Sequence, residues 1–331
     1  MPLKPFIFGC FFDFSGQNYL NGGKSKSIVI KYFEYQKEAI IMLCNACPRN
    51  CSVDRSKGCG FCGVKEGFVV ARAAKHFWEE PPISGKNGSG AVFFSGCNLR
   101  CAFCQNIEIS RAKTGKAISD KRLTEIFDEL IASGAHNLNL VTATQYASKL
   151  ALLLQKYQSK VPVVYNCGGY EKTETLKMLD GLVDIYLPDL KYINSERSLR
   201  YSKAADYFEY ASAAILEMRR QQPIDAFDEN GLMKKGLIIR HLILPKNTNQ
   251  SKLILDWIKD NLGTDTYISL MAQYTPCGEI EDIPELQRRI TLREYEKVVS
   301  YCEELGFKNV FVQELESAQK AYIPDFDLTG V

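Results

Sequence analysis

The sequence predicts an α/β fold built on a parallel sheet, preceded by a cysteine-rich N-terminal extension. Three observations carry that expectation. From residue 91 onward short apolar runs alternate with amphipathic stretches, as successive β-α-β units require. The 331 residues are 46% hydrophobic and 24% charged, near the average of folded globular chains and enough for a sizeable core. Eight of the twelve cysteines fall between Cys44 and Cys104, before and just inside the first β-α-β unit.

Strands are expected at 91–95, 138–141, 161–165, 183–187, 237–244 and 267–271, with a seventh at 309–312. The first helix carries Leu123, Ile126, Phe127, Leu130 and Ile131 on one face; Ser119 or Asp120 can cap it and Gly134 can end it. Residues 194–230 form a partly helical insert whose Tyr201, Tyr207, Phe208 and Tyr210 read as packing, not as a binding face. The last helix opens with a capping box, Thr291 with Glu294. It turns Tyr295, Val298, Val299, Cys302 and Leu305 inward and stops at Gly306, so Cys302 is a core thiol. The turn-rich stretch from Glu79 to Gly90 marks a boundary. Four parts result: an extension, 1–43; a cysteine-rich metal-binding segment, 44–85; the main domain, 86–313; and a tail, 314–331.

Lys and Arg number 41 against 39 Asp and Glu, a net charge of +2, so no single-sign field attracts nucleic acid or an anionic membrane in bulk. No window reaches the ~18 apolar residues of a membrane span. The Phe-rich start from Pro5 to Phe14 is interrupted by Asp13 and lacks a small-residue cleavage site, so a cytoplasmic start is expected over a secretory signal. Met42, just ahead of the first cysteine cluster, is a candidate alternative start. In a cytoplasmic chain clustered cysteines read as ligands, because reducing thiol pools keep disulfides rare.

Cys97, Cys101 and Cys104 follow the first main-domain strand at spacing C-x3-C-x2-C. A cubane of four irons needs four ligands, so three thiolates on one loop leave one iron open to an exogenous ligand. Zinc would want a fourth Cys or His nearby, and none occurs between Cys104 and His136. The bland alternatives are a structural zinc loop or buried free thiols. A parallel sheet binds ligands at the carboxyl ends of its strands. The polar residues there are Thr142, Thr144, Asn166, Asp189, Lys191, Gln273 and Tyr274, with Asp189 and Lys191 on one face. Such a pair suits a zwitterion, or forms a rim ion pair. His136 and His241 lie beside strands and read as hydrogen-bonded core residues.

The triplet, with Phe103 in its aromatic slot, resembles the motif of the radical S-adenosylmethionine superfamily. The run 96–110, the Cys-Pro-Arg-Asn-Cys of 47–51, and the stretches 136–142, 165–170, 184–191 and 240–245 extend the likeness over 44–313. Together they resemble an uncharacterised iron-sulfur subfamily described as pyruvate formate-lyase activating enzyme homologues. The resemblance implies a partial (β/α)6 barrel whose 4Fe-4S cluster, on Cys97, Cys101 and Cys104, binds S-adenosylmethionine. Reductive cleavage then yields a 5′-deoxyadenosyl radical that abstracts a substrate hydrogen. It further implies that Phe103 lines the adenine side, Asp189 and Lys191 hold the methionine carboxylate side, and Arg240 contacts the cofactor. Thr142-Ala143-Thr144 stands where related activases carry Gly-Gly-Glu for the amino group, and Tyr274 where they carry a His near adenine.

Cys44, Cys47, Cys51, Cys59 and Cys62 can supply a second, closed site, and spacing alone suits zinc and iron-sulfur equally. The resemblance selects Cys44, Cys47, Cys51 and Cys62. Functionally it implies an oxidoreductase that activates a glycyl radical enzyme, fed by an electron donor such as flavodoxin or ferredoxin. The alternatives are a radical enzyme acting on a small molecule, peptide or RNA, and a non-catalytic electron carrier. A carrier would close its cluster with a fourth thiolate. Cys167 and Cys277 read as packed or unassigned thiols.

Overall fold

The apolar runs become the strands of one open sheet. The structure, a computed structural model, describes residues 43–313 and 324–331. The extension 1–42, with Cys10 and Met42, and residues 314–323 of the tail lie outside the described residues. In chain order the strands are β1 (Phe68–His76), β2 (Ser89–Phe94), β3 (Lys116–Ile118), β4 (Leu138–Val141), β5 (Val163–Cys167), β6 (Ile185–Pro188), β7 (Ala226–Phe227), β8 (Met233–Leu242), β9 (Tyr267–Met271) and β10 (Val310–Val312). Across the sheet the order is β10-β9-β8-β6-β5-β4-β2-β1-β3, with β7 paired to β8. Every pairing from β2 to β10 along this path is parallel, so the carboxyl ends of these strands share one edge. Along this path seven parallel strands keep their chain order; the sheet is open, and its pairing closes no barrel of the kind the resemblance implies.

Nine helices are described: α1 (Pro81–Ser84), α2 (Ile107–Ser110), α3 (Asp120–Ala132), α4 (Ala147–Leu154), α5 (Thr173–Lys177), α6 (Ser195–Ser202), α7 (Tyr207–Gln221), α8 (Thr248–Leu262) and α9 (Leu292–Glu304). α3 and α9 follow their sequence signals. The Ser119 hydroxyl accepts the Arg122 N–H, and Thr291 and Glu294 form the full capping box. Leu123, Ile126, Phe127 and Leu130 are buried, as is Cys302. Among the described residues no helix is long and apolar enough to cross a membrane.

Several strand limits depart from the expected ones. β6 starts at Ile185 instead of 183, because the Asp184 carboxylate is turned onto the Val163 N–H at 2.9 Å. β8 starts four residues before the expected 237, since Met233 and Lys235 pair with β7. β1 was not anticipated. It lies within 44–85 and runs antiparallel to β2, so the cysteine-rich stretch leads directly into the sheet; residues 43–331 cluster as one unit.

Alternation along the parallel strands separates two faces. Leu138, Leu140, Val163, Tyr165, Tyr186, Leu237, Ile239, Ile268 and Leu270 join the large core with α3, α4, α7 and α8. The intervening residues Val164, Ile185, Leu187 and Ile238 instead pack on Ile83 of α1. The segment before β2 therefore covers the face opposite the helices, at the strands' amino ends. Further along that face the side chains turn polar, with Asn139, Asn166, Arg240 and Ser269, and there the cavity begins.

Candidate active site

The cysteine loop leaves β2 at Gly96, whose φ of +81° and 2.7 Å approach of a would-be Cβ to the Cys62 carbonyl require glycine. Backbone bonds pin the loop. Ala102 N–H reaches Tyr201 C=O at 2.7 Å, and Glu279 N–H reaches Ala102 C=O at 2.7 Å. Asn98 donates to the Tyr170 carbonyl at 2.6 Å, and Arg49 donates to the Asn98 carbonyl at 2.7 Å while its guanidinium sits 4.0 Å over the Phe61 ring.

The three thiols border a cavity of about 260 Å³. Leu99 N–H points at Cys97 Sγ (3.4 Å) and the Ser202 hydroxyl donates to Cys101 Sγ (3.0 Å). Burial raises the Cys97 thiol, and Cys101 adds to it; burial, then Cys101 and Cys97, push Cys104 up to about 12. Thiolates crowded this way need a cation to replace their protons. Among the described residues no three His, Cys, Asp or Glu side chains converge to hold a single metal ion. In a cubane each cysteine takes a different iron, so three thiols around one cavity meet the donor count of a site-open cluster.

The same cavity is lined by Phe103, Thr142, Thr144, Asn166, Asp189, Lys191, Arg240 and Tyr274, the other residues singled out from sequence. Their local states differ. Phe103 is buried edge-on to Tyr201 and Tyr274, and the Tyr274 hydroxyl is already bonded to the Leu286 carbonyl at 2.6 Å. Thr144 donates to Glu171 at 2.5 Å and is buried, so its hydroxyl is committed. Thr142 sits at φ +59°, a left-handed conformation costly for a β-branched residue, with its carbonyl held by Gln145 at 2.8 Å.

At the end of β6, Asp189 accepts from both Lys191 and Arg240, the latter at 2.8 Å. Burial would raise Asp189, but the two cations outweigh it and hold its carboxyl below the usual range. The rim ion pair thus exists, extended inward. Arg240 also bonds Asn166 at 2.6 Å and Glu79 at 3.2 Å, and Glu79 accepts from Asn139 and Asn166 at 3.1 Å each. Burial raises Glu79 despite Arg240. Glu79, Glu80, Asn139 and Ser269 were not foreseen: the two glutamates belong to a stretch read as a turn, and the others are single polar residues within apolar runs.

His241 is buried between the Leu190 carbonyl (2.7 Å) and Ser251 (2.9 Å), and burial lowers it to about 4; His136 Nε2 accepts the Asn87 N–H at 3.1 Å. Both are hydrogen-bonded residues away from the cavity. Cys167 is buried at the cavity wall, and the Cys277 thiol lies 3.5 Å from the Phe103 carbonyl.

In the N-terminal cluster, burial pushes Cys47 up to about 12, with Cys62 and Cys44 adding to it; burial also raises Cys62, with Cys44 and Cys51 adding. Cys51 Sγ accepts the Phe61 N–H at 3.3 Å, while Cys59 is exposed. The four cysteines selected by resemblance therefore lie within electrostatic reach of one another.

Residues 83–203 match a family described as a 4Fe-4S single cluster domain. An uncharacterized protein of Methanocaldococcus jannaschii is 30% identical over 279 residues, 81% of this chain and 76% of its own length. The pyruvate formate-lyase-activating enzyme of Listeria monocytogenes is 26% identical over 180 residues, 48% of this chain and 63% of that enzyme. Among solved structures, Streptococcus suis SuiB bound to precursor peptide SuiA aligns with a TM-score of 0.47 at 14% identity. That match covers 67% of this chain and 48% of SuiB, so the chain spans about half the length of that protein. SuiB bound to S-adenosylmethionine aligns with a TM-score of 0.42 at 13% identity, covering 67% and 46%.

Proposed function

We propose that this chain, which belongs to one family with the M. jannaschii protein and matches a 4Fe-4S single cluster domain over residues 83–203, is a radical S-adenosylmethionine enzyme whose 4Fe-4S cluster is held by Cys97, Cys101 and Cys104. The cavity beside them then receives S-adenosylmethionine. The observation that carries this reading is the shared wall: three thiols of one loop and the Asp189–Lys191–Arg240 ion group border the same cavity. A cluster held by Cys97, Cys101 and Cys104 would supply the electron for reductive cleavage of S-adenosylmethionine, and with it the means of hydrogen-atom abstraction from a substrate. The chain's own part is positioning. Asp189 and Lys191 orient the methionine end, with Arg240 fixing Asp189 from below; Phe103 lines the adenine side, while Thr142 and Asn166 edge the amino-group side. Tyr274 and Thr144 shape the wall, their hydroxyls being committed elsewhere. Burial of the group keeps water from the reactive intermediate.

The likeness to the Listeria enzyme, over about half of this chain, supports hydrogen abstraction from a glycyl radical enzyme. An electron donor such as flavodoxin or ferredoxin would feed the cluster. Cys44, Cys47, Cys51 and Cys62 are the ligands of a second site in the same reading; of zinc and iron-sulfur, the cluster suits them better, since no three such side chains converge on a single ion among the described residues. A small molecule is the second substrate reading, favoured by the acidic inner end of the cavity.

The test is anaerobic reconstitution with iron and sulfide, electron paramagnetic resonance of the reduced protein with and without S-adenosylmethionine, and assay of 5′-deoxyadenosine. A signal that shifts with S-adenosylmethionine, and product lost when Cys97, Cys101 and Cys104 are all changed to Ala, supports the reading. A cluster indifferent to S-adenosylmethionine sinks it and leaves an electron carrier.

A further inference from the structure

The acidic end of the cavity has no role in the steps just described. Glu80 is 6% exposed and stands on the cavity wall, and its Oε2 is buried without a hydrogen-bond partner. Its placement is built in. The Glu80 carbonyl accepts the N–H groups of Ile83 (2.8 Å) and Ser84 (3.1 Å), opening α1, and Ile83 is packed against Val164, Ile185, Leu187 and Ile238. The carboxyl is thereby held against the inner sheet face, where burial raises it.

The neighbouring charges do not satisfy it. The wall carries three carboxylates, Glu79, Glu80 and Asp189, against two cations, Lys191 and Arg240. Lys191 is paired to Asp189, and Arg240 is bonded to Asp189, Glu79 and Asn166. A second acceptor, Gln313 Oε1 at the end of β10, is also buried without a partner and lines the cavity. Phe311 of β10 pairs with Ser269, so Gln313 lies on the same sheet face as Ser269, two residues further along. A buried carboxylate oxygen with no donor costs the full desolvation of that group unless a ligand supplies one. Burial lifts Glu80 to about 7, against Arg240 and with Glu79 adding.

We propose that the inner end of this cavity is a substrate subsite in which Glu80 Oε2 accepts a hydrogen bond from an ammonium group of a small-molecule substrate. An ammonium brings more than one donor, and its positive charge favours the ionised carboxylate that accepts them, which an alcohol or an acid does not. The proposal rests on the radical S-adenosylmethionine reading with a small-molecule substrate, the second of the two substrate readings above, and adds to it the substrate's chemical class.

Ethylammonium, ethanol and acetate are titrated into the reconstituted full-length protein and followed by saturation-transfer nuclear magnetic resonance. Ethylammonium is expected to bind about tenfold tighter than ethanol, acetate to bind no better than ethanol, and E80Q to remove about tenfold of the ammonium affinity while E80D retains it. Saturating S-adenosylmethionine leaves ethylammonium bound. Equal binding of ethylammonium and ethanol by the unaltered protein overturns the proposal whether or not the variants fold, and so does an E80Q protein that binds ethylammonium unchanged. Displacement of ethylammonium by S-adenosylmethionine also overturns it, making Glu80 a cofactor contact. Failure of S-adenosylmethionine to bind at all sinks the cofactor reading separately, since the comparison of the three probes does not depend on it.

Discussion

Arg240 is the residue on which most of the site turns. It is buried, and its guanidinium joins Asp189, Glu79 and Asn166 in one network. Removing it leaves Glu79 without its cation and Asp189 with Lys191 alone, so Arg240→Ala is expected to cost about 3 kcal/mol in chemical denaturation. A loss under about 1 kcal/mol would mean that the network relaxes into water. Glu171 works in the opposite sense. Burial raises it from 4.5 to about 7, against the donors Thr144 and Tyr165. The fold keeps a proton that the unfolded chain releases, so its favourable contribution is full below about 4.5 and is lost as pH rises toward about 7. Glu171→Gln is expected to flatten that limb of the stability curve, by up to about 3 kcal/mol at pH 8 relative to the unaltered chain. Parallel curves for the two proteins would contradict it. Ser202 donates to Cys101 Sγ at 3.0 Å. With the proposed cluster on Cys101, a donor on its ligand sulfur stabilises the reduced state, so Ser202→Ala is expected to lower the cluster potential in a spectroscopic redox titration; an unchanged potential would assign the hydroxyl to Tyr192, its other partner.

At the scale of elements, the cysteine loop takes its shape from segments distant in sequence. Gly278 has φ +80°, and a Cβ there would stand 2.1 Å from the Ala102 carbonyl, inside the triplet. Gly278→Ala is expected to displace the loop and lower the iron bound per chain after reconstitution, with the far-ultraviolet circular dichroism kept. Full iron content would show that the loop tolerates the shift. The helices were legible for a reason internal to them: α3 and α9 carry their apolar period and their caps within about fifteen residues. β1 was not, because Phe68–His76 buries residues on both faces and follows a stretch dominated by cysteine and glycine, so no alternation marks it.

For the whole molecule, the N-terminal cysteines and the loop of Cys97, Cys101 and Cys104 are mechanically joined. Arg49, between Cys47 and Cys51, donates to the carbonyls of Asn98 and Ser202, and Gly96 packs on the Cys62 carbonyl. If a metal at Cys44, Cys47, Cys51 and Cys62 folds this segment, Cys47→Ala is expected to raise amide hydrogen exchange across 97–104 as well as locally. Protection unchanged across 97–104 would separate the two clusters.

The sequence by itself determined the parallel α/β succession, the cysteine triplet after its first strand and the polar residues at the strand ends. Each of these is written in local spacing, and local spacing is what a chain of thiol ligands or an alternating strand requires. The tertiary structure alone decided that Thr144 and Tyr274 spend their hydroxyls on Glu171 and the Leu286 carbonyl, and that Asp189 is clamped from two sides. It alone brought Glu79 to Arg240 across 161 residues and left Glu80 facing the cavity. One polar residue per strand is indistinguishable from noise in an apolar run. It becomes a site when the parallel register stacks Asn139, Asn166, Arg240 and Ser269 on one face and a loop from outside the strands supplies the carboxylates.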